Sequence, residues 1–361
     1  MILSAAKEEK MRTIDADAHV LETERTFEFM DEADRKFAPA VLFRRDGESK
    51  PANDGSTYSE HWLIDNRILS KNKNKDSAAP EASREMTDVH VRLKHMDDLN
   101  IDVQVLYPTV FLRPVTQRPQ INRALSKSYN RWLAQIWKQG QGRLRWVAMP
   151  PLLCMEAVAD ELAWAKDNGA CGVFLNALEC ERILSNPYFF PLYEQAEKLD
   201  LPLCIHAGIN SMTVHDFFAD ASFSQFKLSV IGAFHTLVME GIPAKFPKAR
   251  WAFIEASAQW IPYVLNDLSV RFRKRGRRLP ENLLKTYNMY VTCQVTDDLP
   301  MVLPYSGEDN LIIGTDYGHS DTSSEIEALR LLKDHEKIAR GAIDKILGAN
   351  PCRLYGLDSS V

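Results

Sequence analysis

Along most of this chain, short runs rich in β-forming residues alternate with amphipathic helical stretches, and no other feature of the sequence constrains its fold as tightly. Such alternation belongs to a parallel sheet covered by helices, because each parallel pair of strands needs a long crossover. Candidate strands fall at Arg12–Asp15, Asp102–Leu106, Leu144–Ala148, Gly172–Leu175, Leu201–Ile205, Trp251–Ile254, Met289–Thr292 and Leu311–Ile313. The clearest helix covers 122–137, where Leu125, Tyr129, Trp132, Leu133 and Ile136 recur at helical spacing as one apolar stripe. Eight such units predict an α/β fold, a (β/α)8 TIM-type barrel forming one domain over residues 1–361. A doubly wound open sheet is the alternative, but no glycine-rich phosphate loop follows any strand.

One segment breaks the rhythm. From 43 to 85 the chain is polar and rich in turn formers, with one strand-like patch at His61–Leu69. A stretch of that length is too long for a plain connection in a compact domain. Because it follows the first strand, it is expected to lie over the barrel mouth as a lid, with Trp62 near the substrate. Trp260, after the sixth strand, is a second candidate for shaping an apolar substrate pocket.

Charge narrows the partners. Forty-nine acidic residues against 44 basic give a formal charge of −5, which offers no general affinity for nucleic acid or an anionic membrane. The one basic run, 271–278, reads as a solvated helix end. A small-molecule substrate is therefore expected, with no nucleic-acid or membrane partner. No apolar run reaches the roughly 20 residues that span a bilayer, and the N-terminus lacks a signal-like stretch, so a cytoplasmic protein is expected. A homo-oligomer, in its simplest form a dimer, is the expected assembly. The six cysteines show no ligand spacing and read as reduced, mostly buried thiols.

Three clusters carry residue types that bind metals. Asp17 and His19 stand two residues apart at the end of the first candidate strand, His206 ends the run LPLCIH, and Asp316 lies in Gly314-Thr315-Asp316-Tyr317 after the last. Singly, each has an ordinary explanation as a cap, a core histidine or a polar turn. Together they fall at the carboxyl ends of strands one, five and eight, the face where barrel enzymes build their sites. A mixed nitrogen and oxygen set of this kind suits Zn²⁺ first, with Mn²⁺ or Fe²⁺ as alternatives.

That order of motifs resembles the amidohydrolase superfamily, and within it the branch containing amino-carboxymuconate semialdehyde decarboxylase and the resorcylate and carboxyvanillate decarboxylases. Arg92-Leu93, Met96-Asp97 and Ile101-Asp102 resemble a further segment of that branch, as do Pro150-Pro151-Leu152 and Phe246-Pro247-Lys248. The resemblance implies a metal-dependent barrel enzyme with Asp17, His19, His206 and Asp316 as ligands. It also exposes a departure: where the decarboxylases usually carry a His after strand six, this chain has Glu255. Glu255 is the first candidate for proton transfer, His235 the second and His319 the third, with Asp316 serving both as ligand and in catalysis; a second ion is expected if Glu255 also coordinates. The missing imidazole puts hydrolysis of an amide, ester, thioester or C–C bond of a small organic acid, by metal-activated water, just ahead. Non-oxidative decarboxylation of an aromatic or enol carboxylic acid is the alternative. A metal-free binding protein on a barrel scaffold is the reading from a different class.

Overall fold

A computed structural model describes residues 12–45, 58–71, 75–209, 211–218 and 221–357. The N-terminal stretch read above for a leader, and residues 46–57 and 72–74 of the polar segment, lie outside them. Eight parallel strands follow one another in chain order around a single sheet: β1 (Ile14–His19), β2 (Val103–Tyr107), β3 (Leu144–Ala148), β4 (Ala170–Asn176), β5 (Leu203–His206), β6 (Trp251–Ile254), β7 (Met289–Cys293) and β8 (Leu311–Ile313). The ring closes just past β8, where the His19 N–H donates to Tyr317 O at 2.9 Å and the Asp316 N–H donates to Asp17 O at 3.0 Å. The fold is the (β/α)8 barrel that the alternating pattern predicts.

The strands are buried along nearly their whole length, as parallel strands between a packed interior and a coat of helices must be. In β4 all seven residues are buried. The long helix Pro119–Gln139 starts on a proline, whose fixed φ suits a first turn, and buries Leu125, Tyr129, Trp132, Leu133 and Ile136. Closure leaves no spare room. A Cβ on Gly314 would lie 2.4 Å from Asp17 Cβ and 2.8 Å from Asp17 O, so only glycine lets β8 run this close to β1.

The first strand differs from its expected bounds. It runs to His19 rather than stopping at Asp15, so Asp17 and His19 belong to the strand itself; likewise His206 is the last residue of β5. Pairing with β2 explains the extension, since His19 is in register with Tyr107. The patch at His61–Leu69 is not one strand. It folds as a hairpin, Tyr58–Ile64 and Arg67–Ser70, that turns at Asp65 with φ 58°, a left-handed conformation that Asp tolerates. Ala40–Arg45 pairs with the first arm to make a three-stranded antiparallel sheet. Asp65 accepts from Thr116 Oγ1 at 2.9 Å and pairs with Arg118 at 2.5 Å, tying the hairpin to the loop after β2. Farther on, the Asp76 N–H donates to Gly318 O at 2.9 Å, tying the segment to the loop after β8.

Candidate active site

Four of the expected site residues meet at the carboxyl ends of the strands. His19 Nε2 lies 3.5 Å from Asp17 Oδ1 and 3.2 Å from Asp316 Oδ1, and His206 Nε2 lies 3.2 Å from Asp17 Oδ1. All four side chains are buried. The rings of His19 and His206 stand edge to face at 4.9 Å.

The tautomers follow from the backbone. His19 Nδ1 lies 2.8 Å from the Pro108 carbonyl and His206 Nδ1 lies 2.7 Å from the Ala207 carbonyl. A carbonyl oxygen can only accept, so each Nδ1 carries a proton; His206 Nε2 also meets Asp17 Oδ1 at hydrogen-bond distance, whereas His19 Nε2 faces carboxylates without one. Lone pair against carboxylate is repulsive, and His19 Nε2 has no hydrogen-bond partner. Burial, reinforced by His319 and His206, holds the His19 imidazole well below its ordinary range and hence neutral. Burial also lifts the Asp17 carboxyl, with His206 opposing and Asp316 adding to the rise. Two imidazoles, each with its second ring nitrogen anchored to a carbonyl, and two buried carboxylates form the donor set a divalent cation takes. The side chains present therefore fit such an ion.

Glu255 and His319 flank this set. Glu255 follows β6 and its Oε2 lies 3.4 Å from His206 Nδ1. Burial comes first among the causes that hold its carboxyl well above the ordinary range, followed by the charges of Asp316, Asp321 and Asp17. Glu255, Asp316 and Asp321 each offer an oxygen within 4.8 Å of the others. Glu255 and Asp316 both adopt positive φ, 62° and 51°, an uncommon backbone for these residues that aims their side chains at one spot. His319 stacks on His19 at 4.0 Å, its Nδ1 lies 2.8 Å from Asp316 Oδ1 and its Nε2 lies 2.9 Å from Thr109 Oγ1. Burial works against its charge, but Asp316, Asp321 and Asp17 outweigh burial and raise its pKa.

His235 is not brought to the cluster. It sits on the helix Ser222–Met239, where its Nε2 lies 2.9 Å from Asp267 Oδ2 on the helix Ile261–Lys274, and that partly exposed pair corrects its expected place beside the ligands. The helix simply carries it away from the strand ends. Trp260 packs edge-on against Phe234 at 5.0 Å, and Trp62 against Phe27 at 5.6 Å, both buried. Asp321 and Thr109 escaped the sequence reading. Asp321 lies in the same short stretch as Asp316 and His319, and an acid five residues past a candidate ligand is its only mark; Thr109 carries none.

A family profile described as Amidohydrolase matches residues 14–357. A 2-amino-3-carboxymuconate-6-semialdehyde decarboxylase from Dictyostelium discoideum is 21% identical over 289 residues, covering 75% of this chain and 77% of its own. The crystal structure of an amidohydrolase from Mycobacterium avium subsp. paratuberculosis K-10 superposes with a TM-score of 0.77 at 16% identity, over 97% of this chain and 99% of the other. That of a 5-carboxyvanillate decarboxylase from Novosphingobium aromaticivorans, complexed with manganese and 4-hydroxy-3-methoxy-5-nitrobenzoic acid, gives 0.68 at 18% identity, over 98% and 99%.

Proposed function

The chain belongs to the amidohydrolase family, and from that premise we propose that it is a metal-dependent carboxy-lyase that removes CO₂ from an aromatic or enol carboxylic acid without net oxidation. The observation that carries this reading is Glu255, a buried carboxyl beside the ligand cluster whose surroundings favour its protonated form. The expectation that glutamate in place of histidine favours hydrolysis is revised by that environment, since a neutral carboxylic acid donates a proton as an imidazolium does. The decarboxylases among the similar proteins support the same chemistry.

Asp17, His19, His206 and Asp316 would hold the cation. When bound, Zn²⁺, Mn²⁺ or Fe²⁺ supplies positive charge that attracts an anionic acid and polarises its oxygens. Glu255 then gives its proton to the carbon that bears the carboxylate. The C–C bond breaks, its electron pair returns to the ring or enol, CO₂ leaves, and the Glu255 carboxylate recovers a proton from water. His319, steadied by Asp316 and Thr109, keeps a positive edge beside the reacting anion. Of the segment expected as a lid, the described residues from Lys75 onward cover the barrel mouth, a role supported by the Asp76 to Gly318 hydrogen bond and by the bridge between Lys75 and His319.

Hydrolysis stays as a second reading for one reason. A cation at the cluster draws Glu255 toward its ionised form, in which it would take a proton from attacking water. Incubation with aromatic and enol acids in D₂O separates the two. The carboxy-lyase reading expects CO₂, one deuterium at the vacated carbon, and loss of both on chelation. Cleavage of amides or esters with no CO₂ from any acid would overturn it.

A further inference from the structure

Asp15 and Asp17 are two residues apart on β1, a spacing that in a regular strand puts both side chains on one face. They do not share one. Asp15 is in register with Gln104, and their side chains bond on the outer side of the sheet, where Arg92 of the helix Val89–Asp98 joins them. Asp17 turns inward and meets His206 Nε2 at 3.2 Å. The register explains the split. Asp15 pairs with Gln104 and Ala18 with Leu106, so Ala16 and Asp17 together stand opposite Val105 alone, a one-residue β-bulge. An extra residue reverses the facing of everything beyond it, which turns Asp17 and His19 into the interior while Asp15 stays outside.

A bulge takes backbone groups out of the ladder, and those groups need other partners. Here the Ala16 carbonyl, inside the bulge, accepts from Tyr355 Oη at 2.7 Å. Tyr355 ends the helix Asn350–Tyr355 and is sealed from solvent. The start of that helix is tied to β8, since Asn350 Nδ2 donates to Leu311 O at 2.8 Å. The helix therefore spans the closing seam, anchored on the last strand and reaching the first. Tyr355 also lies 2.8 Å from Tyr107 Oη, and because the Tyr355 proton is committed to a carbonyl, Tyr107 is the donor in that contact. Removing the Tyr107 hydroxyl thus leaves the bond to Ala16 in place, whereas removing that of Tyr355 breaks it.

We propose that Tyr355 is a positioning residue for the cation site: its hydroxyl fixes the bulge that separates Asp17 from Asp15, and so holds Asp17 and His19 in binding geometry. The proposal rests on the reading of Asp17, His19, His206 and Asp316 as cation ligands. Calorimetric titration of Mn²⁺ into the metal-depleted full chain tests it without any turnover. Tyr355→Phe should weaken Mn²⁺ binding roughly 5- to 30-fold, the scale of one buried hydrogen bond. Tyr107→Phe, which deletes a hydroxyl from the same buried pair, should stay within about twofold of wild type. Unchanged affinity in Tyr355→Phe, or equal weakening in the two variants, overturns the proposal, the second outcome because it reduces the effect to general loosening. Should Tyr355→Phe fail to fold, hydrogen exchange of the wild-type chain decides. Mn²⁺ must then slow exchange in Asn350–Tyr355 more than in the helix Val158–Asp167, which follows β3, a strand without a ligand; equal slowing overturns the proposal. A wild-type chain that takes up no Mn²⁺ overturns the ligand reading and this proposal together. Mn²⁺ affinity that depends on Tyr355 in a chain that releases no CO₂ condemns only the carboxy-lyase reading, and CO₂ release with an affinity indifferent to Tyr355 condemns only the Tyr355 assignment.

Discussion

Asp15 and Asp17 stand two residues apart on β1, both sealed from solvent, yet their surroundings differ in kind. Asp15 is a finished piece of structure. Its Oδ1 accepts the Thr315 N–H at 2.9 Å, and its Oδ2 accepts Thr315 Oγ1 at 2.6 Å and Gln104 Nε2 at 2.9 Å. Gln104 in turn accepts from Arg92 Nε at 2.6 Å, and the Arg92 guanidinium lies 3.5 Å from the Tyr317 ring centroid. Asp17 Oδ1 has one hydrogen-bonding contact, to His206 Nε2 at 3.2 Å, and lies 3.5 Å from His19 Nε2, a buried nitrogen with no hydrogen-bond partner. The contrast teaches where function lies: a buried polar group that the fold completes is structure, and one that the fold leaves incomplete awaits a ligand.

The largest effect should come from the incomplete side. His206→Ala should lower turnover by more than about 10⁴-fold and abolish stoichiometric metal in elemental analysis. Metal content equal to wild type would move the site elsewhere and dissolve the contrast. Glu255→Gln should cut turnover by about 10²- to 10⁴-fold while metal stays bound, and His319→Asn should cut it less. Near-normal turnover in both would send the proton by another route.

Stability sharpens the comparison from the other side. In the metal-free protein, Asp15→Ala should cost about 3–5 kcal/mol by leaving buried donors of Thr315, Gln104 and Asp17 unmet. Asp17→Ala should cost much less, because it also removes a carboxylate crowded by Asp316. Denaturant titration of the two variants measures the difference, and equal losses would refute it.

A pH effect should follow from Glu22, which accepts the N–H groups of Thr109 and Val110 at 3.1 and 3.0 Å. Burial raises its carboxyl from 4.5 to about 7 against those bonds. The folded state therefore holds the proton more tightly than the unfolded one. The associated stability is fully present below about pH 4.5 and is lost as pH rises through 7, by about 3 kcal/mol. Glu22→Gln should flatten that slope, as read from unfolding curves between pH 4.5 and 7.5. The smallest effect belongs to His235→Asn, which should change turnover less than about twofold, since its partner is Asp267.

The barrel was legible because its strands are local: an apolar run such as Trp251–Ile254 announces itself without knowledge of its neighbours. The candidate ligands were legible for a related reason, since His19 and His206 end strands and strand ends share a face. What escaped depends on contacts that no window of sequence contains. The hairpin turning at Asp65 rests on one backbone conformation inside a polar stretch. The isolation of His235 rests on how far along its helix it falls.

The seam between β1 and β8 has a consequence for how this molecule comes into being. Asp15 and Thr315, which lock that seam, are 300 positions apart in the chain. Loop closure over such a distance is slow and comes late, and every ligand set available to a shorter growing chain lacks Asp316. On the proposed ligand set, a cation would reach its final geometry only once the eighth strand has arrived. Held by that set, it would tie together strands from the start, the middle and the end of the chain.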